Sequence, residues 1–87
     1  MSWIRQPAVA GRFYPGDAAR LSDEVAGLLR SEASAAPALA VVAPHAGYLY
    51  SGAIAGQAFA RVQVPRTAIV LCPNHTGRGE RRSLWSS

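Results

Sequence analysis

The sequence predicts an α/β fold in which a partial, mostly parallel sheet is flanked by helices. Two short apolar runs, 39–43 and 67–71, have the length and composition of buried strands. About 23 residues separate them and include a helix-like segment, 52–62, which is the size of a right-handed β–α–β crossover. An amphipathic segment, 17–33, precedes the first run. The order helix, strand, helix, strand therefore indicates parallel strands with helices on the sheet faces.

The N-terminal segment, 1–16, is predicted to be an extended arm with turns, because prolines and glycines interrupt it. Asp17 follows Pro-Gly and is a candidate N-cap for the first helix. Within 17–33, apolar residues recur at the helical period, and charged residues occupy the other faces. This pattern predicts a surface helix that packs one face against the rest of the domain.

The second helix, 52–62, is predicted to begin after Ser51, which is a candidate N-cap. Small residues at 52, 55 and 56 would let this helix lie close against a sheet. Everything after the second apolar run, from residue 72, has the composition of a loop.

Composition limits the classes of function. All nine basic residues are arginines, and the net charge is +4. Most of these arginines are scattered along the chain, so a nucleic-acid-binding face is not predicted. A single cysteine cannot form an intramolecular disulfide, and no signal peptide or membrane-spanning run is present, so we expect a soluble, cytoplasmic protein without membrane partners.

Two histidines have matching positions. His45 and His75 each follow a proline that closes one of the two apolar runs. Because parallel strands end at the same edge of a sheet, both side chains are expected at the edge where α/β sheets bind ligands. Two imidazoles there could converge on one transition-metal ion, although such an ion needs a third protein ligand. The alternative is that each histidine only caps its strand end through hydrogen bonds.

Three other side chains lie near the histidines in the sequence and are further candidates for the site. Cys72 forms a C-x-x-H spacing with His75, but at the end of an apolar run it is expected to pack rather than to bind metal. Tyr48 and Tyr50 alternate around a leucine, which predicts that they point to the same side. They could offer hydroxyls to a substrate, or they could be half-buried aromatics at the rim of the site.

Three stretches together resemble the Memo family, whose prokaryotic members are called AmmeMemoRadiSam system protein B. These are RQPAVAGRFYPGD, APHAGYLYSGAIAGQAF and PNHTG, in the family's order and near its spacing, and they cover almost the whole chain. The resemblance implies an α/β fold similar to the class III extradiol dioxygenases. It also implies a metal site that includes His45 and His75, with iron favoured over copper or zinc. Tyr48, Tyr50 and Asn74, which lie near the two histidines in the sequence, are candidate substrate-binding residues.

The same resemblance implies metal-dependent redox or dioxygenase-like activity on an unknown substrate. The alternatives are a non-catalytic module that binds peptides or phosphopeptides, as animal relatives suggest, and an inactive fragment. The prokaryotic name points to an AMMECR1-like protein and a radical SAM protein as partners.

The length of the chain departs from the family. Residues 1–87 resemble the N-terminal third of a single Memo-like domain, and the family's third metal ligand, a distal cysteine, would lie beyond residue 87. Cys72 stands where a glycine is usual, so it is not assigned that ligand's role. Two strands and two helices alone would leave sheet edges unpaired and an apolar face open.

Overall fold

The computed structural model describes residues 4–83 and contains two α-helices, α1 (Ala18–Leu28) and α2 (Ala53–Ala60). A π-helical turn, Tyr48–Gly52, leads directly into α2. Residues 4–17 form a turned arm before α1, in which Gly11 has a φ of +82° and its N–H donates to the Tyr14 carbonyl. The predicted arm and both predicted helices are therefore present.

Helix α1 begins where the sequence predicts. Asp17 has an extended backbone, and its carboxylate accepts a hydrogen bond of 2.9 Å from the Arg20 N–H, so the predicted N-cap is confirmed. The helix ends at Leu28, five residues before the predicted end at residue 33. Gly27 weakens the last turn, and the Ser31 hydroxyl then accepts a bond from the Ala33 N–H, which competes with a continued helix.

The second helical segment begins earlier than predicted, at Tyr48, and Ser51 is not its N-cap. The Ser51 hydroxyl lies inside the π-helical turn and donates backward to the Ala46 carbonyl at 2.9 Å. The chain starts to coil at Tyr48 because its N–H is bonded to the Phe13 carbonyl of the arm, at 2.8 Å. The segment ends at Ala60, two residues before the predicted end.

The two α-helices make their closest approach at Gly56. A Cβ atom at this position would overlap the carbonyl group of Leu28, the last residue of α1. One turn earlier, a Cβ on Gly52 would lie 3.1 Å from a methyl carbon of Leu28. The predicted close packing of the small residues is therefore present, but its partner is α1 rather than a sheet.

The two predicted strands, 39–43 and 67–71, have no regular secondary structure. In the described part of the chain, the β-bridges are single ones, Ala10 with Tyr14 and Ala36 with Val62. No backbone hydrogen bond between described residues involves 39–43 or 67–71. A strand needs a neighbour to pair its backbone groups, and residues 4–83 supply none. The α/β class thus stays a prediction.

Apolar side chains in these two segments face solvent. Leu39, Val42 and Leu71 are 108%, 92% and 90% exposed, and no hydrophobic residue between 4 and 83 is fully buried. Cys72 is also exposed, so the expectation that it packs is wrong, because no layer covers its segment. No helix formed by the described residues has the length and apolar character needed to cross a membrane.

Replacing Gly56 by alanine should lower the free energy of unfolding by about 1–3 kcal/mol, because the new methyl group forces α1 and α2 apart. Gly27→Ala is the matched control, since nothing lies within 4 Å of a Cβ there, and it should stabilise α1 by about 0.5–1 kcal/mol. Urea unfolding followed by far-UV circular dichroism measures both. Equal stability of the two variants would contradict the packing at Gly56.

The isolated chain should self-associate as its concentration rises, because exposed apolar segments without backbone partners are prone to pairing. Sedimentation velocity across a hundredfold concentration range measures this. A chain that stays monomeric throughout and also melts in one sharp transition would contradict the prediction.

Candidate metal centre

The structure brings His45 and His75 together. Their Nε2 atoms lie 3.1 Å apart although 30 residues separate them in the sequence. The ring centroids are 5.2 Å apart, and the ring planes are inclined by 34°. Both residues are exposed, so the pair lies on the surface of residues 4–83. The convergence expected from the two Pro-His motifs is present, even though the strands that predicted it are not formed.

The separation of the two nitrogens admits two kinds of chemistry. An imidazole nitrogen bound to zinc lies about 2.0–2.1 Å from the metal. Twice that length exceeds the observed 3.1 Å, so both Nε2 atoms can contact a single ion that lies between and in front of them. The same distance also suits a hydrogen bond, in which one Nε2–H donates to the lone pair of the other. A metal ion and a shared proton would therefore compete for the same lone pairs.

The N-terminal arm positions the loop that bears His45. The Phe13 carbonyl accepts the bond from the Tyr48 N–H, and a Cβ on Gly47 would already lie 3.5 Å from that carbonyl oxygen. The Tyr14 ring contacts the Tyr48 ring, with centroids 5.6 Å apart. His45 therefore precedes a backbone segment that is held against the arm over two consecutive residues.

A different arrangement supports His75. The Asn74 side-chain oxygen accepts bonds from the Thr76 hydroxyl and the Gly77 N–H, both at 3.1 Å. Its amide group donates to the Arg78 carbonyl at 2.7 Å. The turn is completed by Gly77, whose φ of +68° suits a residue without a side chain. The amide of Asn74, predicted to contact substrate, is thus used to close the loop that presents His75.

The two predicted substrate tyrosines lie in different environments. Tyr48 is half-buried against Tyr14, whereas Tyr50 is 82% exposed. The expectation that they point to the same side is wrong, because it assumed an extended chain. In the helical turn that forms, residues two positions apart do not face each other.

Among residues 4–83, no group of three or more histidine, cysteine or acidic side chains is placed to hold a metal ion. The histidine pair therefore lacks a third ligand within the described residues. Cys72 does not join the pair despite its C-x-x-H spacing with His75.

An apolar cavity of about 370 Å³ adjoins His45. It is enclosed by the arm, α1 and the helical segment 48–60, and none of its lining residues is an arginine, aspartate or glutamate. Phe13 and Tyr14 line it together with Tyr48, and sequence reasoning did not single out these two arm residues. The adjacent aromatic residues between Gly11 and Pro15 were the available signal. A larger, shallower groove between the helices, about 810 Å³, is lined by none of the predicted site residues.

Comparison with known proteins decides the family. The profile of the family described as Memo-like protein matches residues 5–87. The chain belongs to the Memo-like family. It is 42% identical over 86 residues to a MEMO1 family protein of Aquifex aeolicus, and 43% identical over 89 residues to one of Methanococcoides burtonii.

These alignments cover 95% and 97% of this chain but only 32% and 34% of the relatives. A third relative, the MEMO1 family protein of Methanosarcina mazei, is 42% identical over 89 residues, and the alignment covers 33% of that relative's length. The chain thus spans about a third of the length of the curated Memo relatives it matches. No solved structure matches it.

Replacing Asn74 by alanine should loosen the His75 loop, because the Gly77 N–H loses its acceptor. We expect hydrogen exchange of the Gly77 amide to become about two- to tenfold faster, in line with the net worth of one hydrogen bond. Asn74→Asp keeps the acceptor and should leave this amide protected. Amide exchange measured by NMR distinguishes the two variants, and an unchanged rate in Asn74→Ala would show that the bond does not close the loop.

Proposed function

We propose that this chain supplies two histidine ligands, His45 and His75, to a transition-metal centre of a Memo-type domain. The observation that supports this most directly is the 3.1 Å separation of their Nε2 atoms. Imidazole is the commonest metal ligand in proteins and suits iron, copper and zinc, and two nitrogens at this separation can contact one ion.

In this proposal the complete domain has the predicted α/β fold, with 39–43 and 67–71 as strands of a mostly parallel sheet. Both segments are apolar, and most of their large side chains are exposed, which supports this because strands of a parallel sheet require cover on both faces. The relatives are about three times as long as this chain and thus contain the material for further strands and helices. The third metal ligand is assigned to that further material.

The proposed metal is iron in preference to copper or zinc, and when bound it would supply metal-dependent redox or dioxygenase-like chemistry. His45 and His75 hold the ion as neutral imidazoles, which requires that both nitrogens be free of protons. The exposed Tyr50 hydroxyl is available to a substrate, whereas Tyr48 borders the cavity beside His45. Asn74 contributes by holding the His75 loop.

The competing function is a module that binds peptides or phosphopeptides without turnover. A phosphate group is usually held by arginine or lysine. The cavity beside His45 contains no arginine, and the chain has no lysine, which favours the metal-centred proposal over phosphate binding in this cavity. We place the protein in the cytoplasm, on the basis of its single cysteine, with an AMMECR1-like protein and a radical SAM protein as proposed partners.

The decisive test is the metal content of protein purified without oxygen. His45→Ala and His75→Ala should each reduce bound iron severalfold or more, because a single remaining imidazole cannot hold the ion alone. Cys72→Ser is the matched control and should retain the metal, since Cys72 lies outside the histidine pair.

Metal analysis by mass spectrometry measures the bound iron of each variant, and a titration with Fe²⁺ under argon measures its affinity. Metal that stays bound in both histidine variants would overturn the proposed site. Phosphopeptide binding that survives chelation of all metal would favour the competing function. A protein that binds neither metal nor phosphopeptide would favour an inactive fragment.

A further inference from the structure

Ser51 is the buried polar side chain of the described structure, with 7% of its surface exposed. It lies within the π-helical turn, six positions after His45. Its hydroxyl oxygen is 2.9 Å from the Ala46 carbonyl and 3.4 Å from the Gly47 carbonyl. A buried hydroxyl in this position has one proton to donate, so it matters which of the two carbonyls receives it.

The proton goes to Ala46. The Gly47 carbonyl already accepts two backbone bonds, from the Tyr50 N–H at 2.9 Å and the Ser51 N–H at 3.1 Å. The Ala46 carbonyl has no other hydrogen-bond partner between residues 4 and 83. Among the described residues, the Ser51 hydroxyl is therefore the hydrogen-bond partner that holds the peptide unit between Ala46 and Gly47, one residue after His45.

The loop that bears His45 is consequently held from two sides. On one side Ser51 fixes the Ala46 carbonyl, and on the other the Phe13 carbonyl fixes the Tyr48 N–H at 2.8 Å. In the described part of the chain, the hydrogen bonds that close the His75 loop all join residues 74–78, and none of them ties the loop to a helix. Of the two histidines, His45 is the one whose backbone is anchored to the helical scaffold.

We infer that Ser51 is a positioning residue that fixes His45 in the orientation required to meet His75. The effect of Ser51 on metal affinity rests on the proposed function. Its effect on the contact between the His45 and His75 rings does not. Loss of the hydroxyl would free the peptide between residues 46 and 47 to rotate, and the His45 ring would then spend less time 3.1 Å from its partner.

The test compares Ser51→Ala with Ser51→Thr, which keeps a hydroxyl that can donate to the same carbonyl. Ser31→Ala is the matched control, because Ser31 also bonds a backbone group but lies in the exposed segment after α1. The first readout is the nuclear Overhauser effect between the His45 and His75 ring protons in the metal-free chain. It should be clear in the parent and in Ser31→Ala, weaken in Ser51→Ala, and return in Ser51→Thr.

The second readout is a Co²⁺ titration followed by visible absorbance, with far-UV circular dichroism as a check that each variant retains its helices. Affinity should fall about three- to tenfold in Ser51→Ala, the effect of one hydrogen bond, and recover in Ser51→Thr. Folded Ser51→Ala with parental ring contact would overturn the inference. If Ser51→Ala fails to fold, a Ser51→Thr variant that lacks the ring contact would overturn it.

Failure of the proposed function is recognised separately. If His45→Ala and His75→Ala both keep the metal content of the parent protein, while the ring contact of the parent depends on the Ser51 hydroxyl, the proposed metal site fails and the positioning role of Ser51 stands.

Discussion

The hydrogen bond between the Tyr48 N–H and the Phe13 carbonyl is the interaction on which the described structure most depends. It joins the arm to the start of the second helical segment, and so sets where the chain after His45 begins to coil. The contact of Tyr14 with Tyr48 and the close approach of Gly47 to Phe13 lie on either side of this bond. Without the arm, the loop bearing His45 would be held only through Ser51.

A second constraint comes from the contact between the helices. Gly56 lets α2 approach the end of α1 so closely that no side chain fits between them. The helices, the arm and the His45 loop thereby form one connected unit around the apolar cavity. Residues 63–83, which include the His75 loop, do not share in this packing, and every one of them is exposed. The histidine pair thus joins an anchored part of the chain to one that is closed only by local bonds.

Membership of the Memo-like family and the histidine geometry address different questions. The family match accounts for the motifs and shows that the chain corresponds to about a third of its relatives. The geometry shows that the His45 and His75 imidazoles meet although the described residues form no regular strand. The convergence of the histidines therefore depends on the Pro-His loops and the helical connection more than on sheet pairing.

Local chemistry explains which features the sequence determined by itself. The Asp17 cap, the two helices and the turned arm follow from side-chain and backbone preferences within a few residues, and the matching Pro-His motifs are visible in the sequence itself. The start of the second helix, the burial of Ser51 and the separation of Tyr48 from Tyr50 were decided by tertiary structure. Each depends on contact with the arm or with Leu28, which no local pattern encodes. The two predicted strands also depend on tertiary structure, because a strand forms only when a neighbouring chain segment pairs with its backbone.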